Sequence, residues 1–327
     1  MNYRTFGKTG YRVSEISLGT WQLGSRWGDP FSEEVAQQTL QAAVDNGINM
    51  FDTADIYQDG NSEQAIGRFL KAHPDKEIFV VTKMGRDLNP HVAEGYNEEN
   101  LRRFILRSLK NQQREALDLT LLHCPPTPVF SNKEVFRCLD QMKAEGLIRH
   151  YGVSIEKVEE GLAALEHDIS AIEVIFNMFR MKPAEELFRK CAEKNVGIIV
   201  RVPLASGLLT GKYTDQTTFG PQDHRTFNRN GESFDKGETF SGVDYATGIR
   251  VAQQLKEELH TENLANTALR WILMHPEVSV IIPGASRPEQ IVANVKASEL
   301  PALTDDEMAT VKRIYDEEIR PSVHHLW

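Results

Sequence analysis

Cysteine is scarce in this sequence. The chain of 327 residues has three cysteines, Cys124, Cys138 and Cys191, whose odd number and wide spacing match neither a disulfide framework nor a zinc site. No apolar run approaches the roughly 18 residues that a membrane-spanning helix needs. The opening stretch MNYRTFGKTG contains no apolar core typical of a signal peptide. We therefore expect a cytoplasmic protein without a membrane-spanning segment.

Basic residues are also fewer than acidic residues in this sequence. The chain has 37 Lys and Arg residues and 47 Asp and Glu residues, which gives a formal net charge of -10. Nucleic acids and anionic membranes bind basic surfaces, so we expect neither as a partner. The sequence has no G-x-G-x-x-G after a strand, which argues against a Rossmann cofactor turn. It has no H-E-x-x-H either, and we expect no metal site.

The sequence does have a regular alternation of short apolar runs with amphipathic helical patterns. Eight runs are candidate strands: 13–20, 46–54, 76–85, 117–124, 148–154, 171–177, 196–203 and 278–286. Most are continuously apolar, which is typical of parallel strands covered on both faces. Eight strand–helix units predict an α/β fold, a (β/α)₈ TIM barrel with a hairpin-like start, as one domain over residues 1–327. An open doubly wound sheet is the alternative.

One segment interrupts this alternation. Residues 211–244, after the seventh candidate strand, are rich in glycine, polar and charged residues. A loop of this length inside a compact domain is usually functional or disordered. The segment therefore either folds over a bound ligand or is a flexible insertion.

Polar residues end several of the candidate strands, where barrel enzymes carry their chemistry. The second strand ends at Asp52 with Tyr57 beyond it, the third at Lys83 and the fourth at His123. An ammonium about 4 Å from a phenol would lower the phenol's pKa. A carboxylate at Asp52 would keep Lys83 charged, and a neutral His123 can hydrogen-bond a carbonyl oxygen. The alternative is a buried Asp52–Lys83 ion pair that Tyr57 merely caps.

Several motifs resemble those of the aldo-keto reductases, NADPH-dependent carbonyl reductases built on a (β/α)₈ barrel. They are FDTADIY with GNSEQAIG, VVTKMG, DLTLLHCP, IRHYGVS and PLASGLLTGKY, and the likeness extends from FGKTGYRVSEISLGTW to IIPGASRPEQIVANV. The resemblance implies a catalytic tetrad of Asp52, Tyr57, Lys83 and His123. Tyr57 would be the general acid, Lys83 and Asp52 would tune its pKa, and His123 would orient the carbonyl. NADP(H) would supply the hydride.

The resemblance also implies the residues that bind the nicotinamide. Ser154 matches the serine that binds the carboxamide, but Ile155 stands where the family usually has Asn. Glu173 replaces the usual Gln, and its charge would favour the positive, oxidised ring. Arg201 replaces an aromatic residue that stacks on the ring, and its charge would disfavour the oxidised form. We hypothesise that Glu173 and Arg201 pair and so offset each other.

The other cofactor positions implied by the resemblance lie in the mouth of the barrel. They are Gly19, Thr20, Trp21, Asp52, Pro203, Leu204, Gly207, Leu208, Thr210, Lys212, Gly284, Ser286, Arg287, Gln290 and Asn294. Arg287 lies at the start of a predicted helix and would bind the 2′-phosphate of NADP(H) in a bidentate contact. The alternatives are that Arg287 and Lys212 are simply solvated.

We expect a small aldehyde or ketone substrate, bound by Trp21, Tyr57, Arg86 and His123. Arg86 either meets an anionic substrate or has a surface role. Cys124 is expected to be a packed thiol that points away from the site. Two alternative functions are a nucleotide-binding regulatory subunit resembling potassium-channel β subunits, and a sugar or polyol dehydrogenase that works in the oxidative direction. The sequence leaves the oligomeric state open.

Overall fold

The computed structural model describes residues 1–327, and its first element is an antiparallel hairpin. The hairpin pairs β1 (Tyr3–Thr5) with β2 (Arg12–Ser14), as the sequence predicts. Phe6 in its turn region is fully buried and packs edge-to-face against Phe79, with ring centroids 5.8 Å apart. A Cβ at Gly197 would lie 2.4 Å from the Phe6 ring, so glycine is required there for the hairpin to cover that end of the sheet.

Eight parallel strands form the centre of the molecule. They are β3 (Leu18–Gly19), β4 (Met50–Asp52), β5 (Phe79–Met84), β6 (Leu117–His123), β7 (Ile148–Ser154), β8 (Ala171–Ile175), β9 (Gly197–Arg201) and β10 (Val278–Ile281). Each strand pairs with its neighbour in chain order from β3 to β10. Backbone bridges Ile16–Ile281 and Gly19–Gly284 then join the first strand to the last. The sheet closes, so the predicted (β/α)₈ barrel is confirmed and the open-sheet alternative is wrong.

The chain has twelve α-helices, most of which surround the barrel and cover its outer face. They are α1 (Glu33–Asp45), α2 (Asn61–Ala72), α3 (Glu98–Gln112), α4 (Lys133–Ala144), α5 (Val158–Ala164), α6 (Leu187–Glu193), α7 (His224–Phe227), α8 (Tyr245–Glu258), α9 (Leu264–Leu273), α10 (Pro288–Val295), α11 (Asp305–Ile314) and α12 (Arg320–Val323). The predicted cap of α1 forms, because the Ser32 side chain accepts a hydrogen bond from Val35 N. None of these helices is both long and apolar enough to span a membrane.

The strands are continuously apolar because both of their faces are buried. Side chains such as Val81, Leu119 and Ile199 fill the barrel interior, and a larger cluster lies between the strands and the helices. Several apolar runs continue beyond the strands they predict. Ala54 and Ile282, for example, follow β4 and β10 but remain buried at the mouth of the barrel. Apolarity reports burial here, which is why these strands are shorter than the sequence predicts.

The segment 211–244 is folded rather than extended into solvent. It contains α7 and short 3₁₀ turns, and its last part is buried, including Glu238 and Phe240. Asn177 at the end of the β8 region donates a 2.8 Å hydrogen bond to Ser241 Oγ, and Ser206 Oγ donates one of 3.0 Å to the Glu238 carbonyl. We call residues 211–244 the cover segment, because they close over the carboxyl ends of the strands.

Candidate active site

A cavity of about 580 Å³ opens at the carboxyl ends of the barrel strands, beneath the cover segment. This size is in the range of small-molecule binding sites. Many of the residues selected from the sequence line it: Gly19, Thr20, Trp21, Asp52, Tyr57, Arg86, His123, Glu173, Arg201, Pro203, Leu204, Gly207, Thr210, Gly284 and Gln290. The strand ends meet at this edge because all eight strands are parallel and in order.

Lys83 is the centre of a buried charged group at the floor of the cavity. Its Nζ lies 2.5 Å from Asp52 Oδ1 and 3.5 Å from Glu173 Oε2, and it donates a 3.0 Å hydrogen bond to the Thr53 carbonyl. Burial alone would lower the pKa of Lys83, but the carboxylates of Asp52 and Glu173 raise it above its usual value. Lys83 is therefore a fixed cation at neutral pH.

Tyr57 lies next to this cation. Its hydroxyl oxygen is 3.4 Å from Lys83 Nζ, and the ammonium is 5.1 Å from the centroid of the ring. Burial raises the pKa of Tyr57 above its ordinary value, and Lys83 offsets only part of this rise. The prediction of an unusually acidic phenol is thus wrong for the protein alone, because desolvation outweighs the nearby charge. Tyr57 is therefore a neutral phenol at neutral pH.

His123 completes the predicted set of four. Its ring lies edge-on to Tyr57 with centroids 5.9 Å apart, and its Nδ1 is buried without a hydrogen-bond partner. Burial, together with the charges of Arg86, Lys83 and Arg201, lowers the pKa of His123 well below its ordinary value. The imidazole is therefore neutral at pH 7 and able to hydrogen-bond an uncharged oxygen.

Asp52 and Glu173 are two carboxylates that share one lysine. Burial and the neighbouring Glu173 raise the pKa of Asp52 well above its ordinary value, although Lys83 opposes this. Asp52 Oδ2 and Glu173 Oε2 are both buried without a hydrogen-bond partner. Ser154 Oγ lies 3.4 Å from Glu173 Oε1 and does not line the cavity. The unpartnered carboxylate oxygens are therefore available to accept hydrogen bonds from an amide group, and the serine hydroxyl lies beside them.

Arg201 contacts Glu173, as we hypothesised, but two other acids lie closer to it. Its guanidinium lies 2.7 Å from Glu238 Oε2 and 3.0 Å from Glu156 Oε1, whereas Glu173 Oε1 is 3.8 Å away. It also donates a 3.0 Å hydrogen bond to the Ile155 carbonyl. The Glu173–Arg201 pair exists, but it is the weakest of the three contacts. Glu238 supplies most of the opposing charge, because burial keeps Glu156 largely protonated at neutral pH.

Glu156 and Glu238 were not selected from the sequence. Burial raises the pKa of Glu156 to about 8, although Arg201 opposes this. Burial alone would also raise the pKa of Glu238, but Arg201 and Arg86 lower it to about 2. Glu156 follows the serine strand, so the search for polar residues at strand ends would have found it two residues further on. Glu238 carries no such signal, because the cover segment has no periodicity.

Cys124 corrects one prediction from the sequence. Its Sγ lies 3.5 Å from Ser154 Oγ and 3.5 Å from the Arg201 guanidinium, so the thiol points toward the charged group instead of away from it. Cys124 has φ +46°, outside the strand conformation, and this turn reverses the expected direction. Its Sγ and carboxylate oxygens of Glu156 and Glu238 lie within 4.8 Å of one another, but the guanidinium of Arg201 already pairs with both acids.

Aromatic residues form the outer wall of the cavity. Trp21 packs against Trp27, His224 and Phe234, with ring centroids 4.7, 5.1 and 6.2 Å apart. Two of these four rings, His224 and Phe234, belong to the cover segment. The wall is therefore formed by that segment together with the loop after β3. The sequence singled out only Trp21, because Trp27 and Phe234 lie in loops and His224 begins the short helix α7, all without a recognisable motif.

The predicted phosphate-binding residues are only partly gathered at the cavity. Ser286 N and Oγ lie 2.8 and 3.1 Å from Gln290 Oε1 at the start of α10, and Gln290 lines the cavity. Arg287 is exposed, and its only charged neighbour is Glu289 at 3.8 Å. Lys212 is exposed as well. The other predicted site residues that do not line the cavity are Lys83, Ser154, Leu208, Ser286 and Asn294.

Gly207 shows why the loop after β9 needs glycine. Its φ is +100°, and a Cβ at this position would lie 2.1 Å from the Tyr213 hydroxyl. Gly284, on the other side of the mouth, has open space where a Cβ would be, with the nearest atom 4.0 Å away. Glycine at position 207 thus makes room for the Tyr213 hydroxyl, and Gly284 leaves open space at the mouth of the cavity beside the β10 loop. A nicotinamide dinucleotide fits this arrangement of a polar floor, an open mouth and a helix start.

Comparison with known proteins gives one consistent family. The model described as the Aldo/keto reductase family matches residues 15–316. The putative voltage-gated potassium channel subunit beta of Schizosaccharomyces pombe is 31% identical over 310 residues, which cover 91% of this chain and 88% of the relative. Aldo-keto reductase yakc of the same organism, whose name specifies NADP(+), is 30% identical over 315 residues, with 92% and 87% covered. The structure of glycerol dehydrogenase AKR11B4 from Gluconobacter oxydans aligns with TM-score 0.79 and 26% identity, covering 97% of this chain and 96% of that one.

Proposed function

Because the chain belongs to the aldo/keto reductase family, we propose that it reduces aldehydes or ketones to alcohols with NADPH. Family membership makes it an oxidoreductase that interconverts carbonyl and alcohol groups with a nicotinamide cofactor. Our proposal goes further in three respects: it specifies the reductive direction, NADPH as the cofactor, and the residues that act on the substrate. The observation that carries it is the position of Lys83 Nζ, 2.5 Å from Asp52 and 3.4 Å from the Tyr57 hydroxyl.

Each of the four residues has a proposed role that follows from its charge state. When bound, NADPH supplies a hydride to the carbonyl carbon. Tyr57 gives its proton to the carbonyl oxygen, and the phenolate that remains is stabilised by the ammonium of Lys83. Asp52 holds Lys83 in place and keeps it charged. Neutral His123 hydrogen-bonds the carbonyl oxygen and orients it toward Tyr57.

We assign NADP(H) rather than NAD(H) on the basis of Arg287 and the named relative. The exposed guanidinium of Arg287 lies at the start of α10 and is free to turn toward a 2′-phosphate, since its contact with Glu289 is 3.8 Å long. The N-terminus of a helix also favours anions. The aldo-keto reductase yakc carries NADP(+) in its name. Ser154 and Glu173 are proposed to hold the nicotinamide carboxamide.

A panel of small aldehydes and ketones, followed through NADPH absorbance, tests this function. We expect turnover of at least one carbonyl class with NADPH and much slower turnover with NADH. A parallel panel of polyols with NADP⁺ provides the comparison. The proposal would be contradicted if none of the carbonyl compounds in the panel caused NADPH absorbance to fall.

A second candidate is oxidation of a polyol. It is favoured by the similarity to a protein named glycerol dehydrogenase and by the buried charge of Glu173, which suits a positive nicotinamide ring. Turnover confined to the polyol panel would establish it. Bound nucleotide without turnover in either direction would instead favour a regulatory subunit, the class named for the potassium-channel relative.

A further inference from the structure

Arg86 is a cavity arginine whose charge the chain does not fully neutralise. It follows β5 by two residues, lines the cavity and has a side chain that is only 21% exposed. The one acid within 4 Å of its guanidinium is Glu238, at 3.7 Å, which is too long for a hydrogen bond. Its guanidinium lies 5.4 Å from the ring centroid of Phe234, and the side chain makes no hydrogen bond to the chain. Its donors therefore face the cavity.

The other two arginines of the cavity are held by acids. Arg225 donates hydrogen bonds to both carboxylate oxygens of Asp223, one of them at 2.9 Å, and one of 2.5 Å to the Tyr213 hydroxyl. Arg201 binds Glu238 at 2.7 Å and so uses the acid that would otherwise serve Arg86. Arg86 is the cavity arginine left with donors for a ligand, since a largely buried guanidinium needs hydrogen-bond partners.

We propose that Arg86 binds a carboxylate on the substrate, so that the preferred substrates are short oxo acids with the carbonyl group at the other end of the chain. A guanidinium matches a carboxylate in a bidentate geometry, and the pair is strengthened in a site that excludes water. The inference rests on the proposed carbonyl reduction, and it names the substrate class for that same cavity.

The surroundings of Arg86 fit such a substrate. Tyr57 and His123 line the same cavity and would receive the carbonyl oxygen. The aromatic wall at Trp21 and Phe234 offers an apolar surface for the few carbon atoms between the two polar ends. A neutral aldehyde could use the apolar wall but would leave the donors of Arg86 without a partner, which lowers its relative affinity.

A matched pair of aldehydes tests the inference. We would measure kcat/KM with NADPH for 4-oxobutanoate and for butanal, which share the aldehyde and the number of carbon atoms. The quantity of interest is the ratio of the two values in the wild type, Arg86→Gln, Arg86→Lys and Arg103→Gln. Arg103 is an exposed arginine on α3, so its variant removes the same charge far from the cavity.

The expected result is a wild-type ratio well above one that falls about thirtyfold or more in Arg86→Gln, as expected for a charged hydrogen bond. Arg86→Lys should recover part of the ratio, and Arg103→Gln should keep all of it. A ratio that is the same in the wild type and in Arg86→Gln overturns the inference but leaves carbonyl reduction intact.

If neither aldehyde is reduced, the wider carbonyl panel decides the proposed function, and binding decides the present inference alone. Succinate would then be titrated against the wild type and Arg86→Gln, with tryptophan fluorescence as the readout because Trp21 and Trp27 lie in the cavity. Binding that is lost in Arg86→Gln supports a carboxylate site. Equal binding by both proteins, or none by either, overturns it.

Discussion

Lys83 Nζ lies 3.4 Å from the hydroxyl oxygen of Tyr57, which lines the cavity directly above the buried lysine. The two side chains come from different strand–helix units, 26 residues apart in the chain. The ammonium does not make the phenol acidic in the protein alone, because burial raises the pKa of Tyr57 further than Lys83 lowers it. Its proposed contribution is to stabilise the phenolate that forms when the proton leaves.

Replacing Glu173 with Gln should change the preference for the redox state of the nucleotide. Glu173 is buried, and its negative charge is closer to Lys83, at 3.5 Å, than to Arg201, at 3.8 Å. Removal of this charge should weaken NADP⁺ relative to NADPH by roughly tenfold, which corresponds to about 1.4 kcal/mol. Dissociation constants for both nucleotides, measured by fluorescence, check this. An unchanged ratio would show that Lys83 and Arg201 already neutralise Glu173.

Replacing Arg287 with Ala should weaken NADPH more than NADH. Only NADPH carries the 2′-phosphate that we assign to this exposed guanidinium, so the expected loss is about tenfold to a hundredfold for NADPH alone. Arg103→Ala is the matched control, since it removes an exposed arginine from another helix. Equal losses for NADPH and NADH would point to another residue as the phosphate anchor.

Glu156 should make the stability of the protein depend on pH. Its pKa rises from the ordinary 4.5 to about 8 in the folded state, mainly through burial. The folded state therefore holds a proton that the unfolded state releases, and stability should fall as the pH rises from about 4.5 to about 8. The pH dependence contributed by Glu238 has the opposite sign. Its pKa is lowered to about 2 in the folded state, so the stability that it contributes is lost only as the pH falls from about 4.5 toward 2.

The Glu156→Gln variant tests this assignment. Glutamine resembles the protonated acid, so the variant should gain a few degrees in melting temperature over the wild type at pH 8 and little at pH 5. Thermal unfolding at both pH values gives the comparison. A gain that is equal at pH 5 and pH 8 would mean that Glu156 does not titrate in this range.

Much of the barrel was predictable because burial leaves a direct mark on the sequence. The β5 and β6 strands are apolar on both faces, and their ends at Lys83 and His123 marked the position of the cavity. The direction of Cys124 was not predictable, since the strand ends before it and its φ turns positive. Nor was the pKa of Tyr57, because the sequence gives its charged neighbour but not the extent of its desolvation.

The role of the cover segment could be anticipated only in part. Its length and composition suggested that residues 211–244 either cover a ligand or form a flexible insertion. The position of Glu238 opposite Arg201 depends on tertiary contacts, such as the hydrogen bond from Asn177 to Ser241. Local sequence patterns do not encode contacts between residues so far apart in the chain.

The most direct test of the central claim is the rate of carbonyl reduction by Tyr57→Phe, followed through NADPH absorbance and paired with its NADPH dissociation constant. The variant keeps the ring beside Lys83 and His123 and removes only the hydroxyl. We predict that kcat falls at least about a hundredfold, as expected for loss of a general acid, while nucleotide affinity changes little. A Tyr57→Phe protein that turns over at the wild-type rate would contradict the account.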